Sequence, residues 1–145
     1  MRETGMSWIK EMEVVEAVRK YLETKGFKID RVVADITERG TDIVATSPSQ
    51  KMIIKIEAKG QTSSDKRSKR YGKEFNANQK EDHLGRALLK CLGYLDEGSA
   101  AGIALPEDTY NKSLVDKIER SLEILGLVVF FVSKNGVSTI GSLPP

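Results

Sequence analysis

The chain has 145 residues, 39% hydrophobic and 30% charged, with a formal net charge of +2. That length fits one domain able to bury a core without disulfides, and the composition excludes a disordered chain. No apolar run approaches the roughly 18 residues that a membrane span needs, and the single cysteine, Cys91, excludes an internal disulfide and predicts a reducing, cytoplasmic setting.

Met1 to Lys10 has no continuous apolar stretch, so no secretory signal is expected. Ser7 to Lys25 reads as a helix, because Val14, Val15, Val18, Tyr21 and Leu22 recur at helical spacing and Gly26 follows as a stop. Phe27 to Ile36 is rich in β-branched residues and reads as a strand. Thr41 to Thr46 is a second strand, Ser47 to Gln50 a turn, and Lys51 to Lys59 a third strand closed by Gly60. A polar stretch runs from Gly60 to Asn78. Asn78 to Leu95 reads as a helix with Leu84, Ala87, Leu88, Cys91, Leu92 and Leu95 on its apolar face. Ala101 to Leu105 is a short strand stopped by Pro106. Asp108 or Thr109 caps a helix running to about Leu125, and Gly126 ends it. Leu127 to Ser133 is an apolar strand, Asn135-Gly136 a turn signal, and Gly141 to Pro145 a loose tail. The order α-β-β-β-α-β-α-β predicts one α/β domain. Its mixed sheet combines an antiparallel meander with parallel crossovers and carries helices on both faces.

Alternation along the third strand puts Met52, Ile54, Ile56 and Ala58 on one face and Ile53, Lys55, Glu57 and Lys59 on the other. The register of the second and third strands decides where Asp42 falls. A turn centred between Pro48 and Ser49 sets Asp42 diagonal to Glu57; one centred between Ser49 and Gln50 sets the two directly opposite. Both registers bring two carboxylates together, whereas a slip of one residue sends Asp42 to the other face. Converging carboxylates suit Mg²⁺, which takes one or two of them. The Lys59 ammonium beside them suits stabilisation of developing negative charge. The plain alternative is an exposed ladder of Glu57 with Lys55 and Lys59, worth little.

Glu11 precedes Val14, Val15, Val18 and Leu22 by three, four, seven and eleven residues, which places it on the apolar face of the first helix. A carboxylate there calls for a partner; the alternative is an exposed acid favoured by the helix dipole. Lys66, Arg67, Lys69, Arg70 and Lys73 make a local basic patch. It reads either as a solvated loop or as a phosphate contact.

Taken together, Glu11, the run Gly40-Thr41-Asp42-Ile43-Val44-Ala45 and the run Ile56-Glu57-Ala58-Lys59-Gly60 resemble the PD-(D/E)XK nuclease superfamily. The likeness is greatest to archaeal Holliday-junction resolvases and Mrr-like endonuclease domains. Glu11 to Val18 and Gly26-Phe27 look like their opening segment, and the likeness spans roughly Ser7 to Ser133. It implies a restriction-endonuclease-like three-layer sandwich and a DNA endonuclease dependent on Mg²⁺ (or Mn²⁺), working as a homodimer. By that resemblance Asp42 and Glu57 are metal ligands, Lys59 is the catalytic lysine, Glu11 is an additional acid at the ion, and Gln79 is a second-helix glutamine near the site. Thr41 stands where the motif has proline, which lowers its specificity. Within a nuclease the basic patch becomes a DNA contact, with Tyr71 stacking on a base. The lone histidine, His83, is expected at the side of the second helix in a structural or solvent-exposed role. The competing class is a nucleic-acid-binding or assembly module with the same fold and no turnover.

Overall fold

A computed structural model describes residues 9–33, 40–61 and 74–145. The elements are α1 (Glu11–Thr24), β1 (Lys28–Val32), β2 (Ile43–Thr46), β3 (Ile53–Ala58), α2 (Ala77–Asp96), β4 (Ala100–Pro106), α3 (Thr109–Leu125), β5 (Val128–Ser133) and β6 (Gly136–Ile140). Six strands form one sheet in sequence order, with β3–β4 and β4–β5 parallel and the other neighbours antiparallel. The fold is therefore α/β with a mixed sheet. Among the described residues no helix is long and apolar enough to cross a membrane.

Local chemistry explains where the helices begin and end. Asn76 and Gln79 exchange side-chain and backbone hydrogen bonds (2.9 and 2.8 Å), a reciprocal cap that starts α2. Asp108 Oδ1 accepts from the Asn111 N–H at 2.7 Å and starts α3, which Gly126 stops in the left-handed conformation at φ 76°. Glu13 reaches back to the Lys10 N–H at 2.8 Å at the start of α1.

Alternation along the central strands divides the core into two layers. Ala104, Val128, Phe130 and Val132 face α1, with Ile54, Ile56, Ala58, Ile43 and Ala45, against Val14, Val15, Val18 and Leu22. Ile103, Leu105, Val129 and Phe131 face α2 and α3, against Leu84, Ala87, Cys91, Leu114, Val115 and Leu122. Helices thus cover both faces.

Three expectations need correction. A ninth element, β6, follows the Asn135-Gly136 turn and pairs antiparallel with β5. The tail is tied down rather than loose, because Leu143 packs on the α1-side core and the Pro145 carbonyl accepts from Ser49 Oγ. Leu92, expected on the apolar face of α2, is 41% exposed. Tyr94, three residues beyond Cys91, packs inward instead. The basic residues Lys66, Arg67, Lys69, Arg70 and Lys73, with Tyr71, lie outside the described residues.

Candidate active site

The β2–β3 register settles the question left open by the turn. Ile43 pairs with Ile56 and Thr46 with Ile53, so the same register carried one residue further sets Asp42 opposite Glu57. Ser47 and Met52 close the loop through a 2.8 Å backbone bond. Gln50 turns the chain with φ 66°, consistent with the turn centred between Ser49 and Gln50.

Both carboxylates are buried. Asp42 is 9% and Glu57 2% exposed, and they lie within side-chain hydrogen-bonding reach of each other. Asp42 Oδ2 accepts from the Ala58 N–H at 2.8 Å. Glu57 Oε1 accepts from the Tyr94 hydroxyl at 2.6 Å and faces Lys90 Nζ at 3.4 Å. Thr41 Oγ1 in turn donates to the Tyr94 oxygen at 3.1 Å. Burial pushes the Asp42 carboxyl up to about 7, against the lowering effect of the Ala58 N–H; Glu57 and Glu11 push it further the same way. A pair of carboxyls this close and this dry holds a proton or a cation between its members.

Glu11 is the first residue of α1. Its carboxyl is raised, chiefly by burial, with Lys59 and Lys90 opposing and Glu57 adding to the rise. It therefore shares the electrostatic neighbourhood of Glu57 and Lys59. Gly60 explains the approach, since a β-carbon there would stand 2.4 Å from the Glu11 backbone nitrogen. Lys59 extends the pairing of β3 with β4 through its N–H to the Ala104 carbonyl at 3.0 Å.

The surface ladder considered from sequence is absent among the described residues. Lys55 pairs with Glu97 at 2.9 Å, and Glu57 is engaged from α2 instead. Gln79 spends its side-chain oxygen on the α2 cap, and among the described residues no hydrogen bond joins it to Asp42 or Glu57. His83 packs edge-on against Phe75, with centroids 4.4 Å apart. Its pKa is lowered by burial first and by Lys59 and Arg86 next, a packed residue at the rim of the site.

Sequence reasoning missed Tyr94 and Lys90. The available signal was spacing, because Tyr94 follows Ala87 by seven residues and Cys91 by three, so it shares their face. Among the described residues no three Asp, Glu, His or Cys side chains are gathered closely enough to hold a metal ion. A direct third ligand from Glu11 is thus not preassembled. The Asp42–Glu57 pair alone still fits Mg²⁺, whose shell is otherwise filled by water and phosphate oxygens. No protein-family model, curated protein or solved structure matches this chain.

Proposed function

We propose that this chain is a metal-dependent DNA endonuclease of the restriction-endonuclease-like fold, hydrolysing phosphodiester bonds at the Asp42–Glu57 pair. The observation that carries the reading is the pair itself: two buried carboxylates in contact, one of them raised to about 7, beside Lys59 and Lys90. A structural ion pair needs only one carboxylate, and two of like charge side by side are costly unless a proton or a cation joins them.

Asp42 and Glu57 would hold Mg²⁺ or Mn²⁺, and Glu11 stands by as an additional acid. When bound, such an ion acidifies water and stabilises charge on a phosphoryl group. The chain supplies the rest. The Ala58 N–H fixes one Asp42 oxygen, and Tyr94 with Lys90 fixes one Glu57 oxygen. Lys59 supplies the positive charge that offsets negative charge developing on the scissile phosphate. Gln61 and Phe75, which bracket the basic segment, are joined by a 2.6 Å backbone bond. Gln61 lies two residues after Lys59, and Lys66, Arg67, Lys69, Arg70 and Lys73, with Tyr71, fall between it and Phe75 in sequence; a DNA backbone is their proposed partner. DNA as substrate and assembly as a homodimer follow from the family resemblance alone.

One observation favours a second reading, a nucleic-acid-binding module without turnover. Glu57 Oε1 already has two partners, and among the described residues no third ligand is assembled. The test is incubation with labelled duplex, single-stranded and four-way-junction DNA in Mg²⁺ or Mn²⁺, beside Glu57→Ala. Ion-dependent cleavage by the wild type, lost in the variant, is expected. Binding without cleavage selects the second reading, and neither outcome in the wild type refutes both.

A further inference from the structure

We infer that Gln61 is a positioning residue that sets Glu11, Lys59 and the two ends of the basic segment relative to one another; its role in catalysis rests on the nuclease reading. Gln61 is 8% exposed, and each of its polar groups is used. Its Oε1 accepts from the Ile9 N–H at 3.0 Å, and its own N–H donates to the Ile9 carbonyl at 2.7 Å. Its carbonyl accepts from the Phe75 N–H at 2.6 Å, and its Nε2 donates to Asp108 Oδ2 at 3.1 Å. One side chain and its peptide thus tie the lead into α1, the lead into α2 and the N-cap of α3 to the exit of β3. Ile9 lies two residues before Glu11, and Gln61 two residues after Lys59.

The far side of this junction is also fixed. Asp108 Oδ2 takes three donors, from Gln61, from Asn111 Nδ2 at 3.2 Å and from Lys80 Nζ at 3.2 Å. Lys80 is buried and reaches Glu74 as well, at 2.5 Å. Burial opposes its charge, but the two carboxylates more than offset that and hold it protonated. A buried polar cluster cross-linked by this many hydrogen bonds is rigid and tolerates little displacement. Glutamine suits the position because one planar group must accept from Ile9 and donate to Asp108. Methionine keeps the length and does neither; glutamate accepts but donates only when protonated.

The test is amide hydrogen exchange on the full chain, wild type beside Gln61→Met and Gln61→Glu. In the wild type the Ile9 N–H should exchange far more slowly than in a free chain. In Gln61→Met it should exchange roughly tenfold faster, the equivalent of one net hydrogen bond. In Gln61→Glu the ionised carboxylate faces Asp108 and strains the junction, so protection relative to wild type should return as pH falls and the carboxyl regains a proton to give Asp108. Free-chain exchange of Ile9 in the wild type overturns the inference even if Gln61→Met does not fold. A folded Gln61→Met with unchanged Ile9 exchange overturns it too. On a cleavable substrate kcat should fall in Gln61→Met with KM little changed, and an equal fall in Gln61→Glu at low pH counts against positioning. If the wild type cleaves nothing while Ile9 behaves as stated, the nuclease reading fails and the placement of Glu11 by Gln61 stands.

Discussion

Asp42→Asn should stabilise the metal-free protein, and by more as pH rises. Asparagine copies the protonated carboxyl: its oxygen still accepts from the Ala58 N–H, and its amide offers a donor toward Glu57. In the wild type the folded carboxyl titrates at about 7 against an ordinary value of 3.8. A folded pKa raised above the unfolded one contributes stability that is complete below 3.8 and is lost as pH climbs through 7. Between these limits wild-type stability falls by about 1.4 kcal/mol per pH unit relative to a variant that cannot titrate there. From pH 5 to pH 8 the gap should widen by about 3 kcal/mol, since the loss saturates near 7. For a chain of this length that is roughly 8 °C in Tm. Thermal unfolding in chelator at the two pH values measures it. Adding Mg²⁺ at pH 8 should then raise the wild-type Tm and leave the variant nearly unmoved; saturation at a hundred times Kd is worth about 2.7 kcal/mol. Parallel pH curves for the two proteins would refute the buried, proton-sharing pair and with it the fit to a cation.

Tyr94→Phe removes the 2.6 Å donor to Glu57 and leaves Lys90 at 3.4 Å as its described cationic partner. Ion affinity followed by titration calorimetry should drop roughly 10- to 100-fold, as for other partners that orient a ligand, and an unchanged affinity would make Tyr94 a packing residue only. Gly60→Ala places a β-carbon against the Glu11 and Lys10 backbone, so urea unfolding should report a loss of about 1–3 kcal/mol. Gly85→Ala, within α2 and with open space around the new carbon, should instead gain about 0.5–1 kcal/mol. Cys91 is buried, and its thiol is pushed up to about 12 by burial first and Glu57 next. A thiol reagent should therefore leave the native protein unlabelled and react once it is unfolded.

What the sequence made legible was whatever depends on neighbours along the chain. Asp108 and Gly126 bound α3 because a side-chain acceptor and a left-handed residue act within one turn. The alternation of β3 separated Ile54, Ile56 and Ala58 from Lys55 and Glu57 for the same reason. β6 escaped because Gly136-Val-Ser-Thr-Ile140 is a short edge strand that buries no residue fully, so its apolar signal is weak. The tail escaped because its anchors, the α1-side core and Ser49, are remote in sequence.

The candidate site divides along the same line. Glu57 sits on β3, with Asp42 just before β2 and Lys59 just after β3, so the geometry of one hairpin brings them together once its turn is placed. Yet the turn residues permitted two registers, and only the paired strands decided that Asp42 faces Glu57 directly. The surroundings come from further away: Tyr94 and Lys90 from α2, Glu11 from α1, and Gln61 from the segment leaving β3. Those partners change the chemistry in kind. On an open strand face Glu57 would be a solvated carboxylate in a weak ladder. Roofed by α2 and 2% exposed, it becomes half of a carboxyl pair whose charge must be neutralised. A bare Glu-x-Lys triplet therefore says little about function, and the weight falls on the helix that buries it.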